Sequence, residues 1–576
     1  MFLMMKNAMM TVCAAALLGG CVTPIGGGKE AGNVVRGNTL SPKALLFGDY
    51  LAASYANNIG DAHERARYYT HAFSLKPQDL TLGRRAMVSS LTAGETEQAH
   101  DLAIQVRKLN EHDGLSRAIL GAHALSKSEY NEALLYLGGV GDGSGLDDIN
   151  ALIRGWVQVG LGQQDTALET FTQLVGGQYF ELMGDLQKAK LYAELGDVEA
   201  ADKIFTEFDE FGISPIESVL SQVRFHMARG EKDEALTRLD VYAARYGGAL
   251  TGPVRLYMDT INAGEQISTE LSPAQSASRA LTEPALDFYA RQKQFEAAEM
   301  FLRLALELDP ENDKARLFLG SVLEDVDRKQ DALNLYMRIP ADSPYTVSAR
   351  LSEANLMFEK DENDAAIKTL ESVHASHPSR ITQDALGRAY LILADYEQAL
   401  PYYEALIAEM SDEELAQNPQ PRYLRGICLE RLDRWQEAVE EFEYVLEHQP
   451  ENADALNYLG YTWVDKGVEL TKAFDMIRLA VELDPNSGAI VDSLGWAHYK
   501  LGQYEDALVQ LENAVERSPS SATIVDHLGD VYWKLGRIRE AGYQWRRARD
   551  LDPTEKELKE IKAKLESGLS ASESVE

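Results

Sequence analysis

Residues 492–519 read DSLGWAHYKLGQYEDALVQLENAVERSP. Leu494, Ala497 and Leu501 fall at i, i+3 and i+7, which gives a helix one apolar stripe. Gly502 then interrupts the pattern, as a residue tolerant of positive φ does at a helix end. A second stripe follows at Ala507, Leu508, Leu511 and Val515, and Pro519 stops it. The unit is therefore two antiparallel helices of about a dozen residues joined by a tight turn. Helices this short are marginal alone, so their stripes must be buried on neighbouring units.

Working outward, the alanine at 507 recurs as Ala66, Ala99, Ala133, Ala167, Ala200, Ala235, Ala298, Ala332, Ala366, Ala399, Ala438, Ala473 and Ala541. Most steps are 33 to 35 residues; the exceptions are one degenerate unit after Ala235 and a short insertion before Ala438. A fixed period of that size means one supersecondary unit copied many times. It leaves no stretch long enough for a separate catalytic domain. Twelve or thirteen residues before the ladder alanine stands Gly121, Gly155, Gly320, Gly387, Gly426, Gly460, Gly495 or Gly529, with Ala354 in the same slot. A mid-helix glycine costs about 1 kcal/mol against alanine, so its recurrence calls for close helix packing. These glycines lie inside helices, which excludes a phosphate-cradling loop between strand and helix.

The glycine, alanine and terminal proline of Gly460…Ala473…Pro485, Gly495…Ala507…Pro519 and Gly529…Ala541…Pro553 resemble the tetratricopeptide repeat. The resemblance is strongest over 285–553, where Ala332 to Tyr336, Ala438 to Phe442 and Ala541 to Trp545 share an Ala-x-x-x-aromatic pattern. It is weaker over 45–248, where Met87 and Lys188 replace the helix glycine. The fold it implies is an all-α solenoid, a right-handed superhelix of about 14 antiparallel helix pairs. The stretch 249–284 reads as an irregular repeat that either bends the solenoid or separates two arrays. After Pro553, residues 554–576 read as a charged capping helix followed by a disordered tail.

In this family the first helix of each pair lines a concave groove that receives peptides or folded proteins. The resemblance thus puts Asn457, Tyr461, Asp492, Trp496, Tyr499, Asp526, Asp530 and Trp533 on the inner face as partner-binding candidates. The competing assignment is that Trp496 and Trp533 pack between adjacent helices. Aspartates at 492 and 526 would repel a peptide's terminal acid, so a basic or apolar partner segment fits better.

The first two dozen residues, MFLMMKNAMMTVCAAALLGGCVTP, carry one lysine and a short apolar run before Leu18-Gly19-Gly20-Cys21. The run is too short to cross a bilayer comfortably and has the shape of a signal peptide over 1–20. The last four residues resemble a bacterial lipobox, in which Cys21 is lipidated and becomes the first mature residue. An ordinary secretory signal with an incidental cysteine is the alternative. Residues 21–44 read as the lipidated cysteine and a flexible tether. Val22 is not aspartate, which resembles an outer-membrane address facing the periplasm. The membrane contact expected is the lipid anchor alone. Of three cysteines, Cys13 lies in the signal and Cys21 carries lipid, leaving Cys428 as a small core residue.

Acidic residues outnumber basic ones by 91 to 56, a net charge of −35, which excludes nucleic acid as a partner. His374 and His377 stand near each other without a carboxylate in register, and His498 and His527 read as packing or surface residues. No metal site, cofactor or catalytic residue is implied, and the chain is expected not to be an enzyme.

Leu459-Gly-Tyr-Thr-Trp463, Asp492-Ser-Leu-Gly-Trp496, and His527 to Trp533 followed by Gln544-Trp545-Arg546 resemble a proteobacterial group of lipid-anchored tetratricopeptide proteins. One member is the outer-membrane adaptor that brings a carboxyl-terminal processing protease to cell-wall hydrolases. The resemblance implies a scaffold with such a protease or hydrolase as partner. The alternative is an assembly factor for an envelope machine, in exopolysaccharide export or in pilus or secretin biogenesis.

Overall fold

The computed structural model describes residues 41–138, 146–174, 178–210, 216–245, 252–265, 267 and 271–569. The signal peptide, Cys21 and most of the expected tether lie outside the described residues, as do 570–576 of the tail. Among the described residues there are 31 helices and no strands, arranged as 14 antiparallel pairs with three helices left over. No described helix is long and apolar enough to cross a membrane.

Each of the 14 second helices carries one ladder alanine in its first turn or two, and thirteen of the fourteen read from the sequence are fully buried. The exception is Ala200, which is half-buried; its neighbour Ala201 is the buried one. The register of that repeat therefore shifts by one, and the helix position opposite is Ala189, not Lys188. Leu501 likewise lies past the end of the helix Gly488–Lys500 and is exposed, whereas Gly502 takes the expected positive φ of 74°.

The helix glycines have a common cause. A Cβ on Gly495 would sit 2.7 Å from Leu511, and one on Gly387 would sit 2.8 Å from Tyr403. The obstacle is always the residue 16 or 17 positions on, four after the ladder alanine: Leu137, Phe171, Tyr336, Tyr403, Phe442, Ile477, Leu511 or Trp545. One large side chain of the second helix lies flat on a bare patch of the first. In the second repeat the sizes are exchanged, with Met87 and Ala103 both fully buried.

The stretch 249–284 does not hold one degenerate repeat. It contains a lone helix, Gly252–Ala263, and then the start of the long helix Pro273–Ala290, opened by a capping box between Ser272 and Gln275. Pro284 lies inside that helix and does not begin the second array. The hairpin Pro273–Ala290 and Phe295–Leu308 turns back across the first helices of earlier repeats. Its first helix packs on Gly114–Ser126, Asp147–Gly160 and Gln178–Leu195, and its second on Leu80–Ala93 and Gly114–Ser126. One apolar cluster joins Ala118, Ala122, Leu125, Leu152 and Trp156 to Ala277, Ala280, Leu281, Leu302 and Ala305.

Polar contacts fix the seating. Arg303 and Arg328 each donate to the Thr92 carbonyl at 3.1 Å, supplying partners at the end of the helix Leu80–Ala93, and both also hold Glu299. His123 Nδ1 meets Glu307 at 2.7 Å. Further along, buried Glu217 Oε1 receives Lys190 at 3.2 Å and Arg224 at 2.9 Å, with Arg279 of the hairpin at 3.8 Å. Burial favours the neutral carboxyl, yet these cations hold Glu217 far below the ordinary carboxylate range.

The first described helix begins at Pro42, capped by Ser41, so its first turn starts within the stretch 21–44 read as tether. At the other end the helix Glu555–Ser567 packs on Ile538–Arg549 through buried Ile561, as a cap should.

Residues 41–248 produced alone are expected to aggregate or stay partly unfolded, whereas 41–345 should melt cooperatively; circular dichroism and size exclusion compare them. Glu217→Gln leaves buried cations without their counter-charge and should cost about 3–5 kcal/mol in urea denaturation.

Candidate binding groove

Positions three before, one after and four after the helix glycine repeat along the first helices. In the third and fourth repeats they are apolar, Ala118, Ala122 and Leu125 around Gly121 and Leu152, Trp156 and Val159 around Gly155, and lie in the cluster that the hairpin fills. In the C-terminal repeats the same positions are Leu351, Asn355 and Phe358, then Asp384, Arg388 and Leu391, then Tyr423, Ile427 and Glu430. They continue as Asn457, Tyr461 and Val464, then Asp492, Trp496 and Tyr499, then Asp526, Asp530 and Trp533.

The last repeats are tied together from within. Trp496 stacks on Tyr499 at 4.6 Å and 8°, and on His527 at 4.0 Å and 17°. His527 Nδ1 lies 3.0 Å from both oxygens of buried Asp492, one repeat away. Burial opposes charge on this imidazole, but Asp492, by charge and hydrogen bond, outweighs it and raises the pKa. The Trp496 indole N–H has no hydrogen-bond partner among the described residues, and neither has Asn457 Oδ1. Tyr461 is half-buried, its phenol pushed upward by burial and by Asp465 and Asp492.

Asp526 and Asp530 do not stand free. Lys564 of the terminal helix reaches Asp526 at 2.6 Å and Asp530 at 2.7 Å, and the indole of Trp545 donates to Asp530 at 2.8 Å. Burial still pushes Asp530 up to about 6. Trp533 lies 5.4 Å from Trp545 and touches Gly568, so the cap covers it. Asp526, Asp530 and Trp533 thus serve the end of the stack, and the expected repulsion of an acidic ligand is weakened there by Lys564 and His527.

An open cleft lies upstream, on the first helices of the ninth and tenth pairs. A cleft of about 740 Å³ is lined by Leu351, Asn355 and Phe358 of the helix Thr346–Phe358 and by Ile381, Asp384, Arg388 and Ile392 of the helix Arg380–Ile392. Its far wall is the insertion before Ala438, which forms the short helix Asp412–Gln417 with its own capping box. Arg380 holds that helix in place through Glu414 at 2.8 Å, and Arg388 pairs with Asp384 at 2.7 Å. The repeat offset from Ala354 and Gly387, applied beyond the last three units, would have found Leu351, Asn355, Phe358, Asp384 and Arg388, but not Ile381, Ile392 or the insertion helix. Cys428 is buried, and desolvation pushes its thiol up to about 12. His374 bonds Thr382 at 2.9 Å, and no cluster of three potential metal-ligating side chains occurs among the described residues.

Models of the tetratricopeptide repeat match residues 285–312, 385–444 and 423–488, and a TPR repeat model matches 495–536. The chain is 28% identical over 198 residues to a TPR repeat-containing protein of Pseudomonas aeruginosa, covering 34% of this chain and 32% of the relative. It is 28% identical over 220 residues to the CTR9 homolog of Arabidopsis thaliana, covering 35% of this chain and 19% of that protein. The matches therefore span about a third and a fifth of those relatives. Across 91% of this chain and 96% of the other it is similar to a chain of the APC/C hetero-tetramer Cut9–Hcn1, with 15% identity and a TM-score of 0.36.

The His527–Asp492 pair gives a pH dependence whose sign is fixed. The folded pKa lies above the unfolded value of 6.5, so the pair stabilises fully below about pH 6.5 and fades as pH rises through the folded value. Urea midpoints of the intact chain are expected to fall on going from pH 6 to pH 9, and His527→Gln should flatten that part of the profile.

Proposed function

Because this chain carries tetratricopeptide repeats, we propose that it is a non-enzymatic scaffold of the bacterial cell envelope, anchored by lipid on Cys21 to the outer membrane and facing the periplasm. Proteins with these repeats bind protein or peptide partners, and the contrast between the two halves of the groove carries the reading. The N-terminal groove is filled by the chain's own hairpin, whereas the groove over residues 351–421 keeps an open cleft with mixed polar and apolar walls. Its occupant is a protein segment with apolar anchors for Leu351, Phe358 and Ile392 and polar groups for Asn355 and Arg388. Asn457, Tyr461 and Trp496 hold the same register positions in the next repeats, with the unpartnered Asn457 Oδ1 and Trp496 indole N–H buried.

The partner class is a periplasmic processing protease together with a cell-wall hydrolase that it degrades, brought together on one scaffold. Among the described residues no separate non-repeat domain occurs, which suits delivery rather than turnover. Gentle crosslinking of solubilised envelope followed by pull-down should recover a protease or a murein hydrolase, and Phe358→Asp with Arg388→Glu should reduce the yield at least tenfold. Recovery of neither removes the proteolysis reading. Loss of polymer export or pili on deletion, with hydrolase levels unchanged, supports the assembly-factor reading in its place.

A further inference from the structure

The two ends of the stack are finished differently. The C-terminal cap Glu555–Ser567 is rich in lysine and glutamate on its outside, as solubility requires of a terminal repeat. The N-terminal helix Pro42–Asn58 buries Ala53 and Ala56 against Ala62–Leu75 but leaves Phe47 65%, Leu51 47% and Tyr55 59% exposed, followed by Ile59 at 58%. At 100° per residue, Phe47, Leu51, Tyr55 and Ile59 fall within one arc of about 120°, with Ala44 and Gly48 between them. Lys43 is the charged residue on the exposed side. Asp49 faces the body of the protein, where it meets His71 at 2.8 Å. In a chain with 91 acidic residues, an exposed helix face with no carboxylate is a marked departure.

The size of this face narrows what covers it. Seventeen residues of helix make a strip about 25 Å long and about 10 Å wide. That is roughly 250 Å², well short of the roughly 800 Å² per partner that a stable protein interface buries. A bilayer interface needs no such area when an acyl group supplies most of the affinity, because a weak apolar contact then acts as the second of two signals. The helix also begins close to the proposed anchor: Ser41 follows Cys21 by 20 positions. Twenty residues reach at most about 70 Å, which bounds the distance from the anchor to the helix. Aromatic and aliphatic side chains with one lysine suit the lipid–water boundary.

We propose that the exposed face of Pro42–Asn58 lies in the lipid–water interface of the membrane that holds the anchor, as a second contact beside the lipid on Cys21. The proposal rests on the lipoprotein reading for its placement but not for its test. The chain from Val22 onward contains every described element and carries no acyl group. Mixed with vesicles of phosphatidylethanolamine and phosphatidylcholine, it should co-float with them. Phe47→Asp and Leu51→Asp should each lower the partition coefficient at least tenfold with unchanged circular dichroism, while Val509→Asp, at an exposed apolar site elsewhere, should leave it unchanged. Absence of co-flotation overturns the proposal, as does indifference to both substitutions. So does a dimer, seen by light scattering, that Phe47→Asp dissolves, because the occupant is then a second copy. Labelled palmitate incorporation in cells, with Cys21→Ser as control, reads the anchor separately: its absence removes the lipoprotein reading and leaves the vesicle result standing.

Discussion

The contact on which everything else is built is, in most pairs, a large side chain of the second helix laid against a glycine or alanine of the first. It sets how closely the two helices of a pair approach, and hence which faces remain for the neighbours. Eight glycines accept roughly 1 kcal/mol each in helix propensity for it. Since each pair is too short to stand alone, the repeat spacing and the stack are two expressions of one packing requirement.

Where that requirement is local, the sequence reveals it. The ladder alanines number the second helices, and the offset to the glycine locates the groove-lining positions without any knowledge of distant contacts. The one-residue slip at Ala200 arose because Ala200 and Ala201 are adjacent, and only burial against Phe205 and its neighbours tells them apart. The helix start at Ser272 was legible in its capping box but was obscured by Pro284, which normally marks a boundary and here sits inside the helix. What could not be read were contacts far apart along the chain. Nothing in the local pattern links Arg303 to Thr92, or Lys564 to Asp526 and Asp530. The inner-face aspartates therefore looked free when Lys564 pairs with two of them, and His527, read as packing or surface, proved to be the hydrogen-bond partner of Asp492.

The charges follow the same division. Most of the surplus of acid faces solvent, whereas the buried network about Glu217 gathers three cations on one oxygen. Buried ion pairs of this kind add little net stability over apolar packing. Their effect is to exclude alternative seatings of the hairpin, since any slip would strand a charge away from its partner. The open cleft carries paired charges as well, but these are exposed and remain available to solvent or to an incoming chain.

The fold-back hairpin also governs how the molecule responds to force. A solenoid whose units touch only their neighbours behaves as a spring, because small rotations at successive interfaces add along its length. The hairpin spans repeats two to five as a strut, so those interfaces cannot open independently. No such strut crosses the described repeats from 346 to 549, where units meet only near neighbours and rotations are free to add. The protein is thus a stiff handle joined to a pliant hand, and a partner pulling on the cleft would stretch the C-terminal coils before it disturbed the N-terminal half.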